Sequence, residues 1–227
     1  MNDYLNNPLL LIIDMQNVYK EGQPWECKNY DNALSNVLTL LDDGHFSRDN
    51  TILTRYIASA HPTGVWKNYN KENAEINANQ WYNDLDQKLQ LRCKDYRCYD
   101  KSTYSSYSVK ELQEAVNNAS SVVITGVVAE CCVLATVFSL IDAGKYVYYI
   151  TDAVAGLDNE KEEATIKVLE GLAPLHLSIM TTNDFKALAK NSYHQHLNID
   201  QGVKVFSPVI SKYYYKEELH LLILDKF

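Results

Sequence analysis

Three short stretches of this sequence put reactive side chains where apolar runs stop. "LLIIDMQNVY" carries a strand-like run into Asp14, and "CYDKSTYSSYS" sets Lys101 among tyrosines and serines. "VVITGVVAECCVLATVFSLIDAG", residues 122–144, passes from an unbroken apolar segment into a helical pattern with Cys131 and Cys132 at the join. A thiol at the start of a helix meets the positive end of the helix dipole and unbonded backbone N–H groups, an environment that suits a nucleophile. Each feature also has a plain structural reading. Asp14 can cap a loop, Lys101 can be solvated, and either thiol can fill space as a small hydrophobe. From these residues alone, which cysteine does chemistry, if either does, stays open.

The elements that must position these groups follow from the alternation of the chain. Apolar, β-branched segments at 9–14, 50–57, 121–128, 145–154 and 175–182 read as strands. Helical patterns lie between them. "DNALSNVLTLLDDG" takes Asp31 as N-cap and Gly44 as stop, and "SVKELQEAVNNA" opens on a capping box of Ser108 and Glu111. A third runs from Glu130 to Ala143 and ends at Gly144, and "NEKEEATIKVLEGL" repeats the plan with Asn159 and Glu162. Strands alternating with helices imply βαβ units. The expected fold is α/β, a three-layer doubly wound sheet, mostly parallel, with helices on both faces. Ligands of such sheets collect beyond the carboxyl ends of the strands, where the three stretches stop.

The 227 residues, 46% of them hydrophobic, suit one domain, 1–227. Two regions leave the alternation: an Asn-rich aromatic excursion at 62–92, a possible lid, and a C-terminal extension at 192–227 ending in "ELHLLILDKF". A formal charge of −8 argues against nucleic acid and anionic membrane as partners and favours a small-molecule substrate. Apolar runs far short of about 20 residues, an N-terminus without the features of a signal peptide and an odd five cysteines lead to the expectation of a cytoplasmic protein.

The three stretches together resemble the isochorismatase-like cysteine hydrolase superfamily, which includes nicotinamidases and N-carbamoyl amide hydrolases. The resemblance spans roughly residues 8–185. It rests on D-x-Q-N (Asp14, Gln16, Asn17), K-x-x-Y-S-x-aromatic (Lys101, Tyr104, Ser105, Tyr107) and G-V-x-x-D/E-x-C-V-x-x-T (Gly126, Val127, Glu130, Cys132, Val133, Thr136). In that register Cys132 is the nucleophile and Cys131 a packing or pocket-lining residue. The resemblance implies that Asp14 takes the thiol proton, while Lys101 holds both groups and lowers the thiol pKa. It also implies a cis peptide between Val127 and Val128 and an oxyanion hole formed by the N–H groups of Val128 and Cys132.

Metal-binding nicotinamidases carry an Asp and two His after the second strand. Here Tyr56 and Ala58 stand at the first two of those positions and His61 is alone. No metal and no cofactor are expected, and an amide or carbamoyl C–N bond is the expected target. The cysteine argues against the isochorismatases proper, which hydrolyse a vinyl ether without one. Tyr19, Trp66 and Tyr104 are candidate substrate walls, and Arg55 a candidate partner for a substrate carboxylate. "CKDYRC" and the pair His194 and His196 make poor metal sites. A homo-oligomer, dimer or tetramer, is expected. A same-fold hydrolase of a non-amide substrate and a catalytically silent binding member are the competing readings.

Overall fold

Alternate residues of a strand face opposite sides of its sheet, so a strand that is apolar throughout must be covered twice. The computed structural model describes residues 3–200 and puts such strands at the sheet's centre. In chain order the elements are β1 (Pro8–Ile13), α1 (Tyr30–Asp42), β2 (Thr51–Tyr56), α2 (Trp66–Glu72), α3 (Ala74–Asn77), α4 (Gln80–Asn83), α5 (Gln87–Arg92) and β3 (Arg97–Lys101). There follow α6 (Lys110–Asn118), β4 (Ser121–Val127), α7 (Leu134–Asp142), β5 (Tyr146–Ala155), α8 (Asn159–Glu170), β6 (Leu177–Met180) and α9 (Thr182–Asp200).

The strands form one six-stranded sheet in the order β3-β2-β1-β4-β5-β6, and every neighbouring pair is parallel. Leu10 and Ile12 of β1 share a core with Leu34, Val37 and Leu41 of α1. Leu9, Leu11 and Ile13 turn the other way, to Leu112 and Val116 of α6 and to Val137 and Leu140 of α7. The result is the three-layer, doubly wound α/β arrangement that the alternation implies.

Several local expectations change. β3 was not expected, because it is an edge strand in which only Lys101 is buried and no apolar run marks it. Its pairing with β2 specifies it: Tyr56 lies opposite Lys101 and Arg55 opposite Asp100. Asn29, not Asp31, stands at the N-cap of α1. Ser108 does not cap α6; it lies in a short 3-10 turn and donates to the Ser105 carbonyl at 2.8 Å. In α8 the cap is Asp158, which accepts from the Lys161 N–H at 2.9 Å, and Glu162 instead receives the Gly156 N–H. Of the three, only α8 has a side chain on the free N–H groups of its first turn; Asn29 before α1 and Val109 before α6 make no side-chain cap. The helix expected from Glu130 opens as a wider π turn, Ala129–Val133, before α7 begins.

The excursion at 62–92 folds into α2 to α5. Gln16 and Asn17 hold it: the Gln16 amide donates to the carbonyls of Tyr56 (3.0 Å) and Asn83 (2.9 Å), and Asn17 donates to the Trp81 carbonyl (2.9 Å). Residues Met1–Ser192 cluster as one unit and Tyr193–Phe227 as a second. The "ELHLLILDKF" run and the side chains of His194 and His196 lie outside the described residues.

Candidate functional site

Chain order reverses between β1 and β4, and beyond the strand ends at such a reversal is where sheets of this kind bind their ligands. Asp14 is the first residue past β1 and adopts φ 52°, which turns its side chain out of the strand alternation. Gly126 sits beside it at φ 106°, and a Cβ there would collide with the Ile13 backbone, so only glycine lets the two strand ends approach so closely. The Val127–Val128 peptide bond is cis, and the chain then enters the π turn that carries Cys132. Lys101 arrives from the end of β3, on the other side of β2.

These separate elements bring three side chains together. Lys101 Nζ lies 2.5 Å from Asp14 Oδ2 and 3.3 Å from Cys132 Sγ, and also donates to the Thr103 carbonyl at 3.0 Å. Asp14 is 0% exposed and Lys101 and Cys132 are each 4% exposed. Burial works against the Lys101 charge, but Asp14 and Cys132 outweigh it and hold the ammonium in its charged form. Cys132 goes the other way from the expectation. Lys101 does pull its thiol pKa down, yet burial first and the Asp14 carboxylate second push it well above the ordinary thiol range. The lysine charge is already answered by Asp14, so the resting thiol keeps its proton.

An aromatic wall adjoins the three groups. Tyr19 is buried, and burial first, then Cys132 and Asp14, raise its pKa. Trp66 packs edge-on against Tyr104 at 5.1 Å between ring centres, and Tyr104 is 42% exposed, with its pKa raised by burial first and then by Cys131 and Cys132. Trp25, Tyr56 and Tyr69 complete the cluster, with Lys101 Nζ 5.8 Å from the centre of the Tyr56 ring. Arg55 is not brought into it. Its guanidinium makes a two-pronged pair with Asp100, at 2.8 and 3.0 Å, because Asp100 is its ladder neighbour on β3. A substrate carboxylate would have to displace that partner.

Tyr56, at one position where a metal-binding relative has a ligand, is buried and donates to Asn70 at 3.1 Å. Among the described residues, no three His, Cys, Asp or Glu side chains converge as a metal site would require. Cys93 and Cys98 are free thiols, as are Cys27, Cys131 and Cys132.

Sequence reasoning passed over Thr54, Ser106 and Trp25, and used Thr136 only to set the register of the cysteine motif. Thr54 donates to Asp14 Oδ1 at 2.9 Å from inside β2, and Thr136 donates to the Cys132 carbonyl at 2.6 Å. The available signal was a polar residue in the apolar alternation of "TILTRY", on the same side as buried Ile52.

The isochorismatase domain model matches residues 8–184. The chain belongs to the isochorismatase family. The matched residues include all six strands of the sheet. A cysteine hydrolase from Pseudomonas syringae pv. phaseolicola superposes with a TM-score of 0.71 at 18% identity, covering 82% of this chain and 94% of that one. MAR1 ribonuclease from Caenorhabditis elegans gives 0.62 at 18% identity, covering 94% and 97%. The YcaC gene product of Escherichia coli, an octameric hydrolase of unknown specificity, gives 0.55 at 18% identity, covering 88% and 96%. At such identities the three share a fold with this chain, and their different descriptions leave its reaction to be argued from the site. No curated protein matches the chain. Among the described residues no helix is long and apolar enough to cross a membrane.

Proposed function

We propose that this family member is a cysteine-dependent hydrolase that cleaves the C–N bond of a small amide or carbamoyl compound through a thioester. The observation that carries the reading is the buried contact set in which Lys101 touches both Asp14 and Cys132. A carboxylate, an ammonium and a thiol without solvent have a net charge of zero while one proton is shared between sulfur and carboxylate, so moving that proton from one to the other adds no net charge.

In the proposed reaction the Cys132 proton passes to Asp14 as Sγ attacks the carbonyl carbon. The N–H groups of Val128 and Cys132 receive the oxyanion. The C–N bond then breaks, Asp14 returns the proton to the departing nitrogen, and the acyl group stays on sulfur. Water attacks the thioester with Asp14 again as base, releasing the acid and restoring the thiol. Lys101 keeps Asp14 and Cys132 in register through both steps. Tyr19, Trp66 and Tyr104 form the wall against which a flat amide rests, and Arg55, paired with Asp100, has no part in binding it. Net charge −8 fits a small substrate rather than a polyanion. Action as a homo-oligomer belongs to the same proposal, supported by the octameric state of the YcaC relative, and cytoplasmic residence is proposed from the free cysteines.

The test is ammonia release across a panel of small amides and carbamoyl compounds, with mass spectrometry of the quenched enzyme. The expected result is turnover of at least one compound and an acyl mass on the Cys132 peptide. Turnover with no acyl mass on Cys132, or turnover undiminished in Cys132→Ala, would overturn the reading.

A further inference from the structure

Behind Asp14 the structure holds a closed set of hydroxyls. Thr54 Oγ1 donates to Asp14 Oδ1 at 2.9 Å and also lies 3.2 Å from Ser106 Oγ. A carboxylate oxygen only accepts, so the Thr54 proton is committed to Asp14 and the Ser106 hydroxyl must donate to Thr54. Ser106 is held in turn, because its N–H donates to Thr136 Oγ1 at 2.9 Å and Thr136 donates to the Cys132 carbonyl at 2.6 Å. Thr54, Ser106 and Thr136 are all 0% exposed. With Lys101 touching both Asp14 and Cys132, the contacts close into a ring of six residues. Along one arm the donors align from Ser106 through Thr54 to the carboxylate, and such aligned hydrogen bonds reinforce one another; along the other, the Ser106 N–H and Thr136 hydroxyl lead to the Cys132 carbonyl.

We propose that Thr54 is a positioning residue. It holds Asp14 as an oriented carboxylate, Oδ1 bonded inward and Oδ2 presented to Lys101 and Cys132, and so keeps the exchangeable proton on sulfur until substrate arrives. Ser106 and Thr136 fix the direction of the Thr54 hydroxyl. The proposal rests on the reading of Asp14 as the group that exchanges a proton with Cys132. A donor to a carboxylate favours its charged form, and a charged carboxylate beside a thiol disfavours the thiolate. Removing the donor therefore lets the proton move more readily from sulfur to oxygen.

The experiment follows alkylation of Cys132 by iodoacetamide at neutral pH, assigned by mass spectrometry of the peptide. Thr54→Val keeps the shape and loses the hydroxyl, and is expected to alkylate faster by about tenfold, in keeping with the loss of a hydrogen bond to a charged group. Thr54→Ser keeps the hydroxyl and is expected to stay near the wild-type rate; a packing role would reverse that order. In an Asp14→Asn background, Thr54→Val is expected to change nothing further. Ser106→Ala, which removes the second donor, is expected to move the rate in the same direction by a smaller factor, and it stands in if Thr54→Val does not fold.

A wild-type rate in the removing variant, or an effect that persists undiminished without the Asp14 carboxylate, overturns the proposal. If Asp14→Asn by itself alkylates at the wild-type rate, the underlying role of Asp14 fails as well. A changed rate in Asp14→Asn beside an unchanged rate in Thr54→Val sinks the positioning role alone.

Discussion

Lys101 and Asp14 meet as a wholly buried ion pair, with Nζ 2.5 Å from Oδ2 and no exposed side-chain surface on either partner. The pairing limits what the lysine can do for the neighbouring thiol. Its charge is shared with a carboxylate that acts on Cys132 in the opposite sense, so the two influences can be separated by removing one partner at a time.

Lys101→Met removes the influence that lowers the Cys132 pKa, so the midpoint of its pH–alkylation profile should move up and the neutral-pH rate should fall. Asp14→Asn removes one that raises it, and the midpoint should move down. Alkylation profiles of the two variants check this. Midpoints that coincide with wild type would mean that burial alone governs the thiol.

The cysteines should separate cleanly. Cys132 touches Lys101, whereas Cys131 is half-buried and its pKa is raised by burial and Glu130, with neither Asp14 nor Lys101 contributing. Cys132→Ala is expected to abolish turnover and Cys131→Ser to retain most of it, as measured by ammonia release with the best amide of the panel.

Gln16 carries a structural prediction. Its side chain accepts the Tyr56 N–H at 2.8 Å and donates to the carbonyls of Tyr56 and Asn83, taking the place of a strand residue beyond the end of β1. Gln16→Leu leaves the buried Tyr56 N–H unpaired, which should cost roughly 2–3 kcal/mol. Denaturant unfolding reads the loss, and faster proteolysis within 66–92 would show that the excursion has loosened.

Alkaline pH should destabilise the fold, in part through Cys27. Burial first, then the charges of Glu130 and Glu162, raise its folded pKa well above the ordinary thiol range. A raised folded pKa gives stability that is fully present below the unfolded value, about 8.5, and is lost as pH climbs through the folded value. Above that unfolded value the unfolded chain has released a proton that the native state retains, so stability falls with pH. Cys27→Ala should flatten the slope by at most about 1.4 kcal/mol per pH unit, as measured by urea unfolding from neutral to strongly alkaline pH.

Activity should survive chelation, since a thiolate with two backbone donors for the oxyanion needs no Lewis acid. Turnover before and after prolonged EDTA dialysis, with elemental analysis, checks this. Stoichiometric metal whose removal abolishes activity and whose return restores it would refute it.

The doubly wound sheet was legible in the chain because strand and helix periods are local: "LLLII" must be covered on both faces, and the spacing of Leu34, Val37 and Leu41 makes one apolar helix face. The order of Asp14, Lys101 and Cys132 along the chain was legible too, each at the end of a run or beside a helix start, and the Gly126-to-Thr136 motif distinguished Cys132 from Cys131. Tertiary structure alone decided which residues from distant elements meet. β3 exists because β2 pairs with it, not because "RCYDK" is apolar. The same pairing gives Arg55 to Asp100, and the contact of α7 with the short turn Ser106–Ser108 joins Thr136 to Ser106, whose hydroxyl meets Thr54. The state of the Cys132 proton belongs with these. A helix start and a nearby lysine both argue for a thiolate, but burial and the competing carboxylate depend on three-dimensional placement, and their sum leaves the proton on sulfur.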